Sequence, residues 1–331
     1  MMKSIRFLFP VILLILLNLG VISCKKKENP IVYEKGIFPD TLLPLTGLNS
    51  TFDDYNINLY TLSNYLPLIF SSNRLSNGQQ FDLVQGVVVY IFDQTTGEFQ
   101  LQSENSNDPF FSELSARLST DVNDFGPYRL YSALDGYEYT LVSSVNSSGN
   151  LDFNYVRNLP YFGTVVPAVF GPFPATKLNS ASNDAYFCFD TNQDSAYYSS
   201  DADGDFNIYM LKRDPLINID TWLNSAYEGP QKVNVLNSPA NDKCPYIFRK
   251  IIVFASDRQG GFGGFDLYYS LFKNGSWGTP VNLGSTINTS SDEYRPVLSG
   301  DENFTNMYLM FSSDRPGGKG GFDLYFIGVD F

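Results

Sequence analysis

One phrase is written five times along this chain. An apolar residue, usually followed by Asn, stands five places before an Asp or Asn, and an acid comes next. It reads Leu48-Asn49 with Asp53-Asp54, Leu118-Ser119 with Asn123-Asp124, and Leu178-Asn179 with Asn183-Asp184. It returns as Leu236-Asn237 with Asn241-Asp242 and Ile287-Asn288 with Asp292-Glu293. The leading apolar residues are 70, 60, 58 and 51 apart. A repeat of that length is one supersecondary unit that cannot bury its apolar face alone and must stack on its neighbours. The spacing suits a four-stranded antiparallel unit with loops of varied length.

A second phrase follows about 18–24 residues into four of the units, the distance of a strand, a turn and a second strand. It reads Phe70-Ser71-Ser72-Asn73-Arg74, Tyr198-Ser199-Ser200-Asp201, Phe254-Ala255-Ser256-Asp257-Arg258 and Phe311-Ser312-Ser313-Asp314-Arg315. After the last three come a turn and an alternating strand: Phe206-Asn207-Ile208-Tyr209, Phe265-Asp266-Leu267-Tyr268 and Phe322-Asp323-Leu324-Tyr325. The second unit is degenerate here. Its nearest match is the early Tyr131-Ser132-Ala133-Leu134-Asp135-Gly136-Tyr137. Aromatic residues make up 16% of the chain, which favours sheet over helix and argues against disorder.

Residues 254–269, Trp277-Gly278-Thr279-Pro280-Val281-Asn282-Leu283-Gly284 and residues 311–326 carry a family resemblance. They resemble the WD40-like PD40 repeat of TolB-type periplasmic propellers and of Bacteroidota-type envelope lipoproteins. The match is specific over about 90 C-terminal residues and weakens upstream to the spaced phrases. It implies a β-propeller with a binding role. The expected fold is all-β, a five-bladed propeller of four-stranded antiparallel blades over residues 37–331. The last blade stops near its third strand, at residues 322–326. Residues 42–48 are therefore expected to add the missing outer strand and close the ring, which protects sheet edges. A sixth blade is the alternative, hidden in the long second unit or near residues 94–117, where residues 111–117 are weakly helical.

The N-terminus reads as an address. Lys3 and Arg6 precede an apolar run over residues 7–19, too short for a comfortable span, and a small-residue exit follows. The exit, Val21-Ile22-Ser23-Cys24, resembles a bacterial lipobox. The expectation is a signal peptide over residues 1–23, lipid attachment at Cys24 and a tether over residues 24–36. A plain signal peptide or an uncleaved anchor, with Cys24 incidental, is the alternative. No Asp follows Cys24, so the outer membrane is the expected location. Several acyl chains anchor stably where one does not.

The chain has no histidine, which removes histidine-based triads and histidine-ligated metal sites. Three cysteines make neither a disulfide scaffold nor a four-thiolate zinc site. A formal charge of −13 repels nucleic acid. No cofactor is expected. Asp190, Asp194, Asp201, Asp203 and Asp205 form the densest acid cluster, but Asp201-Ala202-Asp203-Gly204-Asp205 lacks the spacing and closing Glu of a calcium loop, so a solvated turn is favoured over calcium and no metal site is expected. Cys188 and Cys244 are either buried free thiols or, in an oxidising compartment, a disulfide.

Residues present in every unit are expected to be architectural. Asp201, Asp257 and Asp314 begin turns, and Arg258 and Arg315 are expected to pair with acids such as Asp242 or Asp292 across blades. The glycine runs 260–264 and 317–321 precede strands, not helices, so they are hairpin turns instead of phosphate loops. Phe262 and Lys319 differ at the two tips, which makes them, with Arg258 and Arg315, the candidates for partner contact. The expected function is a non-enzymatic binding or scaffold module for envelope proteins. The alternative is a glycan-binding or glycoside-hydrolysing propeller lipoprotein. A single deep pocket holding two facing carboxylates beside exposed aromatics would favour that alternative.

Overall fold

In a computed structural model of the chain, residues 34–59, 64–161, 163 and 165–331 are described. The signal segment and Cys24 lie outside them. Residues Lys35–Phe331 form one compact unit of five antiparallel blades. The innermost strands are Asp54–Leu59, Asp124–Tyr131, Asp184–Phe189, Asp242–Phe248 and Glu293–Gly300. Each pairs outward with the second strand of its own blade, then the third and the fourth. Second strands such as Ile251–Ser256 are buried at every position, because a neighbouring blade covers each face. Such strands read as apolar runs without alternation.

The ring closes as expected. Leu43 and Pro44 pair with Phe326 and Tyr325, so the N-terminal segment supplies the outer strand of the last blade. Residues 94–117 hold no sixth blade: Phe99–Asn105 is the outer strand of the first blade, and Pro109–Leu118 is a helix. Asp108 caps that helix by accepting from the Phe110 N–H, while Phe110, Phe111, Leu114 and Leu118 form its buried face.

The repeated phrase is a staple between blades. Each Asn after the apolar residue turns its amide onto the third strand of the preceding blade, where it accepts one N–H and donates to one carbonyl. Asn288 does this with both backbone groups of Leu267, at 2.8 and 2.9 Å. Asn49, Asn179 and Asn237 do the same with Leu324, Phe153 and Ile208. The side chain thus completes a strand edge that would otherwise lack a partner. The next polar residue, Asp53, Asn123, Asn183, Asn241 or Asp292, accepts the N–H at the start of that same third strand.

The acid that closes the phrase is buried in every blade: Asp54, Asp124, Asp184, Asp242 and Glu293. Each accepts the backbone N–H four residues earlier, at 2.6–2.8 Å. In three blades an arginine neutralises it: Arg74 on Asp54, Arg258 on Asp242 at 2.5 Å, and Arg315 on Glu293 at 3.0 Å. These pairs lie within one blade, not across two.

The second blade corrects the sequence reading. Its second strand is Glu138–Val145, and Ser144, not Ser132, donates to Asp124 at 2.5 Å. Tyr131 to Tyr137 instead make the turn between its first two strands.

Candidate functional site

The turns joining first to second and third to fourth strands share one face of the ring. Between the third and fourth blades, on that side, lies a groove of about 690 Å³. One wall comes from the third blade. Its first strand ends at Phe189, and the turn at residues 190–194 leads into Ser195. The Asp190 carboxylate shapes that turn by accepting the N–H groups of Asp194 and Ser195 at 3.0 and 3.2 Å. Asp194 accepts from the Ser195 hydroxyl at 2.6 Å and faces the Lys212 ammonium at 3.6 Å. Tyr197, Met210 and Val233 line the groove below them, and Val235 is 42% exposed at its margin.

The other wall comes from the fourth blade. Asn274-Gly275, both with positive φ, turn the chain between Lys273 and Ser276. That is the dipeptide a tight two-residue hairpin requires. The hairpin lays Trp277 against Phe272, with ring centroids 5.0 Å apart. The Trp277 indole N–H donates to the Tyr197 hydroxyl at 3.2 Å across the blade boundary. Thr191 donates to the Arg249 carbonyl at 3.1 Å, a second tie between the walls.

The two carboxyls are not equivalent. Burial raises Asp190, and the adjacent Asp194 adds to the rise. The Ser195 hydroxyl and then Lys212 lower Asp194. Their surroundings thus push the two neighbouring carboxyls in opposite directions. Environments that push paired groups apart mark acid and base roles. Two-carboxyl glycoside cleavage works with carboxyls about 5–9.5 Å apart. Asp190 and Asp194 stand on one turn, held by its own N–H groups, the Ser195 hydroxyl and Lys212.

The four residues singled out from sequence are elsewhere. They belong to the turns between second and third strands, on the opposite face. Phe262 is exposed at its tip, 49% accessible. Lys319 is held by the N-terminal segment, its ammonium donating to the Thr46 carbonyl at 2.6 Å. Arg258 and Arg315 are occupied with buried carboxylates and with the carbonyls of Leu236 and Ile287. Variation between copies pointed to tips, but two of these cations and Lys319 are committed to the fold. The groove was missed because it arises from an extra hairpin unique to the fourth blade. Its visible signal was Asn274-Gly275 followed by one of only two tryptophans.

Cys188 and Cys244 are buried free thiols, each pushed up to about 12 by burial. Among the described residues, no three Cys, Asp or Glu side chains gather as a metal site.

No protein-family profile matches the chain, and no curated protein is similar to it in sequence. Solved structures do share the fold. A thermostable family-43 glycoside hydrolase superposes with a TM-score of 0.55 at 9% identity, over 87% of this chain and 93% of its own. An endo-arabinase from Bacteroides thetaiotaomicron gives 0.54 at 11% identity, over 91% and 98%. The catalytic domain of a family-62 α-L-arabinofuranosidase from Coprinopsis cinerea gives 0.51 at 13%, over 90% and 98%. At these identities the likeness establishes the five-bladed propeller fold. The expectation of a non-enzymatic module is corrected here, because solved propellers that share the fold are glycoside hydrolases; the groove brings two carboxyls to one wall, while Trp277 and Tyr197 are buried in it.

Proposed function

We propose that this chain is a lipid-anchored envelope protein that engages a glycan in the groove between its third and fourth blades. The observation that carries the reading is the convergence there of Asp190 and Asp194 with Trp277, Phe272 and Tyr197. A sugar ring has an apolar C–H face and a rim of hydroxyls. An apolar cleft with a few convergent polar groups at its edge matches both. Asp194, held down by Ser195 and Lys212, accepts from a hydroxyl, and Asp190 lies on the same turn beside it. Lys212 and Arg249 extend the polar edge.

Cleavage is the second reading, favoured by the glycoside hydrolases that share the fold. In it Asp190, whose hold on a proton burial strengthens, is the candidate acid for a leaving oxygen. Neutral and acidic plant and microbial polysaccharides, assayed for binding by calorimetry and for release of reducing ends, test both. Asp194→Asn should weaken binding at least about tenfold, as loss of one charged hydrogen bond of about 1.5–3 kcal/mol requires. Val235→Arg should block the groove from an exposed position. Binding unaltered in both variants would remove the groove from the reading.

The anchor rests on the lipobox-like Val21-Ile22-Ser23-Cys24, and the repeats' likeness to those of envelope propellers supports the same compartment. Cys24→Ala should leave the propeller folded and release it from the membrane fraction. A variant that stays with the membrane would contradict the anchor.

A further inference from the structure

Each innermost strand carries a bulge one or two residues after its buried acid. The bulged residues are Asn56, Gly126, Tyr186, Cys244 and Arg295, all with positive φ. They occupy equivalent positions around the axis of the ring, and the first and fifth of them lie on neighbouring blades. Tyr55 and Tyr294, the residues just before Asn56 and Arg295, have ring centroids 6.4 Å apart.

Arg295 is 0% exposed. Its Nη2 donates to the Pro127 carbonyl at 3.2 Å, and its guanidinium lies 5.7 Å from the Tyr186 ring centroid. Among the described residues, Nε and Nη1 have no hydrogen-bond partner and no carboxylate forms an ion pair with the side chain. Asn56, also 0% exposed, faces the hydroxyls of Tyr55 and Tyr186. Arginine cannot shed its proton to escape this setting. A buried charge without a counter-charge costs several kcal/mol, so the fold needs something there.

The neighbours cannot supply it. The groups acting on Arg295 or acted on by it are Tyr128, Tyr186, Cys188, Cys244 and Tyr246. Burial raises every one of them, so all are neutral near pH 7. Lys243, next along the chain from Cys244, adds a second cation. It rests 4.0 Å from the Phe206 ring centroid, and Asp201 and Asp257 act on it only from a distance.

We infer that the propeller axis holds a monovalent inorganic anion, chloride under ordinary conditions, bound by Arg295 Nε and Nη1. One unpaired guanidinium calls for one negative charge. The absence of a carboxylate leaves a small ion, not a side chain, to provide it.

Thermal melting at equal ionic strength in sodium chloride, bromide and gluconate tests this. Wild-type protein should melt about 2–4 °C higher in saturating chloride or bromide than in gluconate, with a saturable dose response. Arg295→Met, which replaces the charge by an apolar chain of similar length, should lose that response. Bromide soaked into wild-type crystals should give an anomalous peak beside Arg295, a readout that does not need the variant to fold. Equal melting in all three salts, or bromide on the surface as an adventitious ion only with water at the axis, would overturn the assignment.

Discussion

Arg315 and Asp124 show how differently one repeated acid is treated from blade to blade. Glu293 is fully buried, and burial raises it while Thr289, Ser313 and Arg315 hold it down. Removing Arg315 leaves that charge uncompensated. Arg315→Met should therefore destabilise the fold by about 3 kcal/mol or more, measured by urea unfolding. Asp124 has no arginine partner. Burial pushes it up to about 6, against the pull of the Ser144 hydroxyl and the Thr120 N–H. Below pH 4 both folded and unfolded chains hold this proton, and the group costs nothing. Between pH 4 and 6 the unfolded chain ionises first. Above 6 the folded state carries the whole penalty, about 3 kcal/mol. Asp124→Asn should flatten that segment of the stability–pH profile. An unchanged profile would show that Asp124 is ionised at little cost. The acids themselves were legible from their spacing. Their partners were not, because whether an arginine follows the second strand is a local choice made separately in each blade.

At the scale of elements, the Asn staples and the closing strand do the joining. Residues 42–48 were readable as the missing outer strand because the chain stops after a third-strand sequence and resumes the pattern at its start. Leu43 and Pro44 then meet residues almost 300 positions away. Leu45 and Leu48 are buried in the same cluster as Phe326. Deleting residues 37–48 should lower the melting temperature of the whole ring, since it opens an edge and uncovers that core. Hydrogen exchange should show loss of protection in the first and last blades together. Loss confined to the first blade would contradict closure. The second blade was harder to read. Its serine pair, Ser143-Ser144, lacks the Asp or Asn that follows at once in the other copies, so a hydroxyl and a buried acid were all that remained of the signal.

The whole molecule was legible as a propeller because five copies must share one geometry. Its binding site was not, because a site is where one copy departs from the rest. The fourth blade alone inserts Ser276–Trp277 as an extra short strand, and only the fold brings it against Asp190 and Asp194 of the blade before. The opposite face, with its repeated Asp and Arg, looked more chemical in sequence, yet those side chains are spent on the staples and buried pairs. Glycan recognition in the groove is the central claim. Calorimetric titration of polysaccharides into wild-type protein and Val235→Arg, with reducing ends assayed in the same samples, tests it most directly. The groove predicts saturable binding of at least one glycan by the wild type and its loss in Val235→Arg at unchanged melting temperature. Equal glycan binding by both proteins, or none by the wild type across the panel, would contradict it.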